Sequence, residues 1–216
     1  SAAGAEVVRE FYINDRGNQM DLFGESLRAA ALGLTRPENG YHGEYIVDLA
    51  KQITSKNPDF ISMEESKSII AFREAGYKLQ LELQKNVLDS FGTHFDVWFS
   101  ERSLYENNFF DHTLDKLKSN GHVYEQEGAV WLRTTDFGDD KDRVMIKSDG
   151  SFAYFASDSA YYISKRERGF NLCIYMLGAD HHGYVGRIKA IAACAGDDQD
   201  KDVEALIGNR PFEEEK

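Results

Sequence analysis

Residues 147–190, KSDGSFAYFASDSAYYISKRERGFNLCIYMLGADHHGYVGRIKA, decide how this chain folds. They read as a strand, a polar turn, a helix, a short strand and a second helix. The run NLCIYML, residues 171–177, is nearly continuous in apolar character and lies between Gly169 and Gly178. Such a run between two helical patterns predicts a parallel strand buried on both faces. Directly after it stand Gly178, Ala179, Asp180, His181, His182 and Gly183. Glycine lets a ligand approach the backbone closely, and open α/β sheets bind ligands at the carboxyl ends of their strands. Asp180 also suits the N-cap of the helix that follows, VGRIKAIAACAG. Position alone leaves two readings open: a ligand site, or a capped helix carrying two surface histidines.

Upstream, Phe152 to Phe155 reads as a strand that follows the hairpin-type turn Ser148-Asp149-Gly150. Tyr154 and Asp158 lie four residues apart across the junction to the next helix. The plain role there is capping, by Ser157 or Asp158. A carboxylate beside an aromatic ring is also a good receptor for a guanidinium group, through charge-assisted hydrogen bonds and the ring face.

Outward from this segment the chain shows a second strand-and-turn unit. Residues 6–13 (EVVREFYI) alternate and are rich in Val, Phe and Tyr, which predicts a strand. A polar turn follows at residues 14–19 (NDRGNQ), where Gly17 can take positive φ. Its side chains either face a ligand or satisfy only local backbone. Residues 20–34, 43–53 and 66–91 have helical spacing, broken at Pro37, Gly40 and Asn57-Pro58, and form a helical insertion of about residues 20–92. Residues 95–100 (FDVWFS) predict a strand. Ser103-x-x-Glu106 has the capping-box pattern, ahead of a helix that stops at Gly121. Residues 123–125, 129–133 and 143–147 read as short strands, the small antiparallel part of the fold. TTDFGDDKD, residues 134–142, holds four aspartates but lacks the spacing and closing Glu of an EF-hand, so it reads as a solvated turn. His94, His112 and His122 show no metal spacing and read as surface residues, and no metal site is expected.

The opening EVVREFYINDRGNQM and the stretch from Tyr124 to Gly183, including AVWLRTTDFGDDKDRVMIKSDG, resemble the catalytic domain of arginyl-tRNA synthetases, which are class I aminoacyl-tRNA synthetases. Several separate motifs occur in the family's order, and the similarity runs over most of the chain. The resemblance implies an α/β fold: a partial Rossmann-type catalytic domain over residues 1–208 with the helical insertion, and a tail, 209–216, that is not family-like. It implies ligation of arginine to its tRNA through an arginyl-adenylate made from ATP. Tyr154, Asp158 and His181 match positions that bind arginine. Gly178 and Asp180 match positions that contact ATP, with His182 beside them. Asn14, Asp15 and Gln19 match the border of the active site. Mg2+ would arrive with ATP rather than at a dedicated protein site.

Two signatures of the class are missing. The six histidines never form His-x-Gly-His, and Ile146-Lys147-Ser148 is a strand end rather than a Lys-Met-Ser-Lys-like loop. In the family one would lie just before Ser1 and the other just beyond Gly208. The segment alone is therefore expected to be inactive. The rival readings are a non-catalytic arginine- or nucleotide-binding fragment, a synthetase-like paralogue, and an unrelated α/β nucleotide-binding enzyme.

Composition sets outer bounds. No apolar run approaches the length of a membrane span, and the N-terminus lacks the pattern of a signal peptide. Cys173 and Cys194 read as reduced core thiols, so a cytoplasmic protein is expected. The net charge of −12 argues against a broad basic surface for nucleic acid. Contact with tRNA is therefore expected mostly through parts outside these residues. An incomplete parallel sheet leaves an open edge, which predicts self-association.

Overall fold

The computed structural model describes residues 4–106 and 108–208, with Asp180 and His182 by backbone alone. The chain falls into two compact units, Ser1–Ser103 and Leu104–Lys216.

In the first unit, β1 (Glu10–Ile13) pairs in parallel with β2 (Val97–Ser100), in the register Glu10↔Val97 to Ile13↔Ser100. A parallel pair needs a long crossover. Here it is the expected helical insertion: α1 (Asn18–Leu32), α2 (Glu44–Lys56), a 3₁₀ turn (Pro58–Ser62) and α3 (Glu65–Ser90). Gly17 starts α1 at φ 84, a backbone conformation that glycine adopts without strain. The helices bury Phe23, Leu27, Ile46, Leu49, Ala50, Ile53 and Phe72 in one cluster. Full burial of such a side chain stabilises by roughly 1.5–3 kcal/mol. Where α1 crosses α3 the backbones come close. A Cβ on Gly24 would lie 2.7 Å from the Ile69 carbonyl, and one on Gly76 would lie 2.4 Å from Leu27 Cδ1. On the sheet, Phe11 packs on Trp98 at 4.8 Å and on Phe95 at 5.2 Å.

In the second unit, β3 (Val123–Gln126), β4 (Ala129–Leu132) and β5 (Arg143–Ile146) form the expected antiparallel sheet. Glu127 and Gly128 turn the first hairpin, both at positive φ, as a two-residue turn of the right twist requires. Around it lie α4 (Phe109–Ser119), α5 (Tyr154–Glu167), β6 (Cys173–Leu177), α6 (Val185–Cys194) and β7 (Val203–Ile207). β6 and β7 are parallel and joined through α6. Helix α5 is central: Phe155, Ala156, Ser157, Ser159, Ala160, Tyr161, Tyr162 and Ile163 are all buried. Apolar residues on every side are what a helix packed all round requires. Its C-terminal end is tied down by Asp197, which accepts from Tyr162 at 2.8 Å and from Arg166 at 3.0 and 2.9 Å.

Several local expectations need correction. The strand 173–177 is not covered on both faces. Ile174 is 49% and Met176 84% exposed, because among the described residues β6 pairs with β7 alone, and Tyr175 turns toward Tyr161 of α5. The capping box does not form: the Ser103 hydroxyl donates to the Ser100 carbonyl inside a 3₁₀ turn (Glu101–Tyr105), and α4 starts only at Phe109. Phe152 makes a lone bridge to Ile146, and α5 begins at Tyr154 with Ala153 as N-cap, so neither Ser157 nor Asp158 caps it. Asp180 is not an N-cap either. Residues Ala179–Tyr184 form a 3₁₀ turn, kinked at His181, and Tyr184 caps α6. The aspartate loop is not simply solvated. Burial would raise the Asp139 pKa, yet hydrogen bonds from Arg143 hold it well below the usual range, and Asp142 accepts from Thr135 and Tyr124. The tail 209–216 lies outside the described residues.

Candidate active site

Helix α5 starts early enough to put Tyr154 and Asp158 one turn apart on the same face. Their fates differ. Tyr154 is 92% exposed at the helix start, while Asp158 is mostly buried and accepts a hydrogen bond from the Tyr184 hydroxyl. Burial pushes the Asp158 pKa up to about 6, against the opposing effects of the Tyr184 hydrogen bond and the Arg187 charge. A carboxylate withdrawn from water and only partly compensated favours the arrival of a cation.

Tyr184 comes from the segment that leaves the carboxyl end of β6. Gly178, exposed, follows the strand, and its carbonyl accepts from the His181 amide at 2.9 Å. His181 is exposed and stands edge-on to Tyr184, with ring centroids 6.3 Å apart. The Arg187 guanidinium lies 5.7 Å from the Tyr184 ring, and among the described residues its buried Nε has no hydrogen-bond partner. His181, Tyr184 and Arg187 thus follow one another at intervals of three through the 3₁₀ turn into α6. The turn aims Tyr184 at Asp158 and carries His181 beside it. The side chains of Asp180 and His182 lie outside those described. Sequence reading missed Tyr184 and Arg187. The three-residue spacing was the signal, and it was hidden by the expectation that the helix starts at Asp180.

The first unit places its three candidates differently. Asp15 is 1% exposed. Its carboxylate accepts from the Ser100 hydroxyl at 2.5 Å, the Tyr77 hydroxyl at 3.0 Å and the Arg102 amide at 3.1 Å. Its own carbonyl accepts from Arg102 Nε at 2.6 Å. Arg102 goes on to Glu74 at 2.7 Å, and Glu74 to Arg73 at 2.9 Å. Asp15 therefore ties the ends of β1 and β2 to α3 across long sequence separations, which neither a ligand-facing nor a local-turn reading anticipates. Gln19 accepts from the Tyr41 hydroxyl at 2.7 Å. Asn14 lines an open cavity of about 240 Å³ with Met20, Phe23, Tyr41, Tyr45, Tyr77 and Gln84 among others.

Among the described residues no group of three His, Cys, Asp or Glu side chains gathers to hold a metal ion. Cys173 and Cys194 are free and buried, and burial raises both thiol pKa values, that of Cys194 to about 12. No helix among the described residues is long and apolar enough to cross a membrane.

Comparison with known proteins bears on this geometry. The family described as tRNA synthetases class I (R), catalytic domain, matches residues 1–206. An arginine–tRNA ligase of Renibacterium salmoninarum is 52% identical over 207 residues, 96% of this chain and 38% of that protein. One from Paenarthrobacter aurescens is 49% identical with the same coverage. This chain thus spans about 38% of the length of these curated relatives. A Campylobacter jejuni crystal structure with a provisional arginyl-tRNA synthetase assignment superposes with a TM-score of 0.84 at 38% identity, covering 95% of this chain and 46% of that one. The Thermus thermophilus arginyl-tRNA synthetase shares the fold, with a TM-score of 0.62 at 18% identity over 95% of this chain and 42% of that one. With parallel strands, a helical insertion and a match from end to end of its described part, this chain belongs to the arginyl family of class I tRNA synthetase catalytic domains.

Proposed function

We propose that the protein to which this chain contributes is an arginine–tRNA ligase. It activates arginine with ATP, forms arginyl-adenylate, and passes the arginyl group to the terminal ribose of tRNA. The observation that carries the reading is Asp158. It is a largely buried carboxylate, held by Tyr184, one helical turn from the exposed Tyr154.

In this reading Asp158 and Tyr154 take the guanidinium of arginine, and His181 lies toward the rest of the amino acid. Gly178, Asp180 and His182 meet the adenosine part of ATP, with the Asp180 carboxylate accepting from a ribose hydroxyl. The arginine carboxylate then attacks the α-phosphate in line, and pyrophosphate leaves. Holding the two together supplies most of what this step needs, and donors to the developing phosphate charge supply the rest. No general base is required. Mg2+ accompanies the phosphates of ATP. Both units belong to one catalytic domain, residues 1–208, the protein works in the cytoplasm, and tRNA is held mostly by parts outside these residues.

The test is arginine-dependent ATP–pyrophosphate exchange. The complete parent protein should catalyse it with tRNA present. The 216 residues alone should stay near background, since they contain neither His-x-Gly-His nor a Lys-Met-Ser-Lys-like loop to meet the phosphates. A parent that exchanges with another amino acid and not with arginine overturns the assignment.

A further inference from the structure

Arg187 has no role in the reading above, and its own helix gives no reason for it. It stands third in α6, whose first turn holds no acidic residue. A cation so close to a helix N-terminus meets the positive end of the macrodipole. Helix α6 packs through Ile188, Ala190, Ile191, Ala192 and Cys194, all buried. Among the described residues the buried Nε of Arg187 has no hydrogen-bond partner, and no acidic side chain forms an ion pair with its guanidinium. A buried donor left unpaired costs stability, and a residue that breaks local rules twice is expected where a site needs it.

What the position gives is a charge beside Asp158. The guanidinium lies 5.7 Å from the Tyr184 ring, and the hydroxyl of that ring donates to Asp158. The exposed His181 meets the same ring edge-on at 6.3 Å. The Arg187 charge acts on Asp158 and favours its ionised form, without an ion pair that would fill the carboxylate. A carboxylate has about four lone-pair sites, and Tyr184 takes one, so room remains for a bidentate guanidinium. The other titratable groups around Asp158 are engaged elsewhere or uncharged. Tyr175 of β6 is kept protonated by burial, which raises its pKa well above the ordinary value. Lys165, about two turns along α5, lies over the Tyr161 and Tyr175 rings at 4.3 and 4.1 Å. On the elements packed against α5, Arg143 of β5 is paired with Asp139, and His112 of α4 with Glu167 at the far end of α5.

We propose that Arg187 is a positioning residue for the cation site: from the Tyr184 ring it holds the charge of Asp158 ready for a substrate guanidinium and leaves the carboxylate oxygens to that guanidinium. This rests on the reading of Asp158 as the receptor for arginine. Removing the Arg187 charge makes Asp158 easier to protonate, so the site loses its cation at a higher pH. Once Asp158 is fully ionised, the same removal relieves the repulsion between two guanidinium groups that share one carboxylate. Arg187 therefore gives up affinity at high pH in exchange for occupancy near neutral pH and below. A residue that served only to pack α6 would change affinity by the same factor at every pH.

The experiment compares the complete parent protein with Arg187→Gln and Arg187→Lys at fixed ionic strength. Calorimetry measures arginine affinity between roughly pH 5.5 and pH 8, the range that brackets an Asp158 pKa of about 6. NMR follows the side-chain carboxyl carbons of labelled aspartate over the same range without ligand, the Asp158 signal being the one lost in Asp158→Asn. In Arg187→Gln the Asp158 midpoint should rise by roughly 0.5–1 pH unit. Compared with the parent, arginine should then bind about three- to eightfold more weakly at the acid end and about two- to fivefold more tightly at the alkaline end, so the two profiles cross. Arg187→Lys keeps the charge, and its midpoint should move less than half as far as that of Arg187→Gln. If Arg187→Gln folds poorly, Arg187→Met, which keeps an apolar stem without the charge, carries the same expectations. An unmoved midpoint, an equal shift in Arg187→Lys and Arg187→Gln, or affinity lowered by one factor at every pH overturns the proposal. A parent that binds no arginine overturns the ligase reading instead, and the ligand-free carboxyl titration still decides whether Arg187 holds the Asp158 charge.

Discussion

Asp15 and Asp158 are both aspartates taken out of water, one in each unit, and the chain treats them in opposite ways. Asp15 is surrounded by donors: Ser100, Tyr77 and the Arg102 amide on its carboxylate, and Arg102 Nε on its carbonyl. Burial first, then the charge and hydrogen bond of Asp15, push the Tyr77 pKa up to about 12, so this tyrosine remains a donor. Among the described residues Asp158 has one side-chain donor, Tyr184, and the nearby charge of Arg187. A saturated buried carboxylate holds architecture together. An under-satisfied one stores a preference for a partner that has yet to arrive. The difference lies in how many donors the fold aims at each group, not in residue type or burial.

If that distinction is right, removing each carboxylate should damage a different property. Asp15→Ala leaves the Tyr77 and Ser100 hydroxyls and the Arg102 amide without their acceptor, and unsatisfied buried groups of this kind add to a loss of roughly 3–5 kcal/mol. Urea unfolding should show the midpoint falling by that loss divided by the slope, with the slope itself unchanged. A loss below about 1 kcal/mol would mean that the network is ornament and the comparison fails. Asp158→Ala should instead spare the fold. In the complete protein it should raise the KM for arginine by an amount equivalent to roughly 2–5 kcal/mol, with the KM for ATP nearly unchanged. Steady-state kinetics checks this, and an unaltered arginine KM would remove Asp158 from the site.

Asp180 sharpens the comparison from the ligand side. As an acceptor for a ribose hydroxyl it should cost ATP binding roughly 1.5–3 kcal/mol when replaced by Ala, as for other hydrogen bonds to a charged group. Arginine binding should change less. Competition with 2′-deoxy and 3′-deoxy ATP is the check, since one of them should lose less affinity on Asp180→Ala than on the parent. Equal losses in both proteins would place the ribose elsewhere.

Much of this arrangement is legible in the sequence. Periodicity places the three insertion helices to within three residues of their observed ends, and β-rich alternation places both strands of the first unit. The misses share a physical cause. Ser103, Asp158 and Asp180 are all polar residues just ahead of apolar helical spacing, which is the local signature of a cap. In each case tertiary packing set the helix start elsewhere: later after Ser103, earlier before Asp158, and beyond a 3₁₀ turn after Asp180. The role of Asp15 was illegible for another reason. Its partners Tyr77, Ser100 and Arg102 are 62 to 87 residues away, and no local pattern encodes such contacts. Exposure of Ile174 and Met176 shows the limit of reading burial from hydrophobicity, because an apolar run does not say which faces of a strand are covered.

The smallest effect concerns protons. Asp158 titrates at about 6 in the folded chain, raised by burial from an ordinary 3.8. The folded state therefore holds this proton more tightly than the unfolded one, and Asp158 favours folding most when protonated. Its share of stability is full below about pH 4 and is lost as the pH rises through 6. Between pH 5 and pH 8 the loss should be roughly 1–2 kcal/mol. Carboxylates whose pKa values are held down, such as Asp139 and Asp142, act in the opposite sense and at lower pH, and they contribute equally to parent and variant. Asp158→Asn removes the titration while keeping the shape and a hydrogen-bonding group for Tyr184. The stability difference, variant minus parent, should therefore grow in the variant's favour from pH 5 to pH 8. Arginine affinity of the complete protein should move the other way, falling as the pH drops below about 6, because a cation needs the ionised carboxylate. Unfolding curves at matched ionic strength, with arginine binding measured over the same range, test both signs. Parallel stability profiles for the parent and Asp158→Asn would show that Asp158 is as well satisfied as Asp15, and the contrast between the two would be gone.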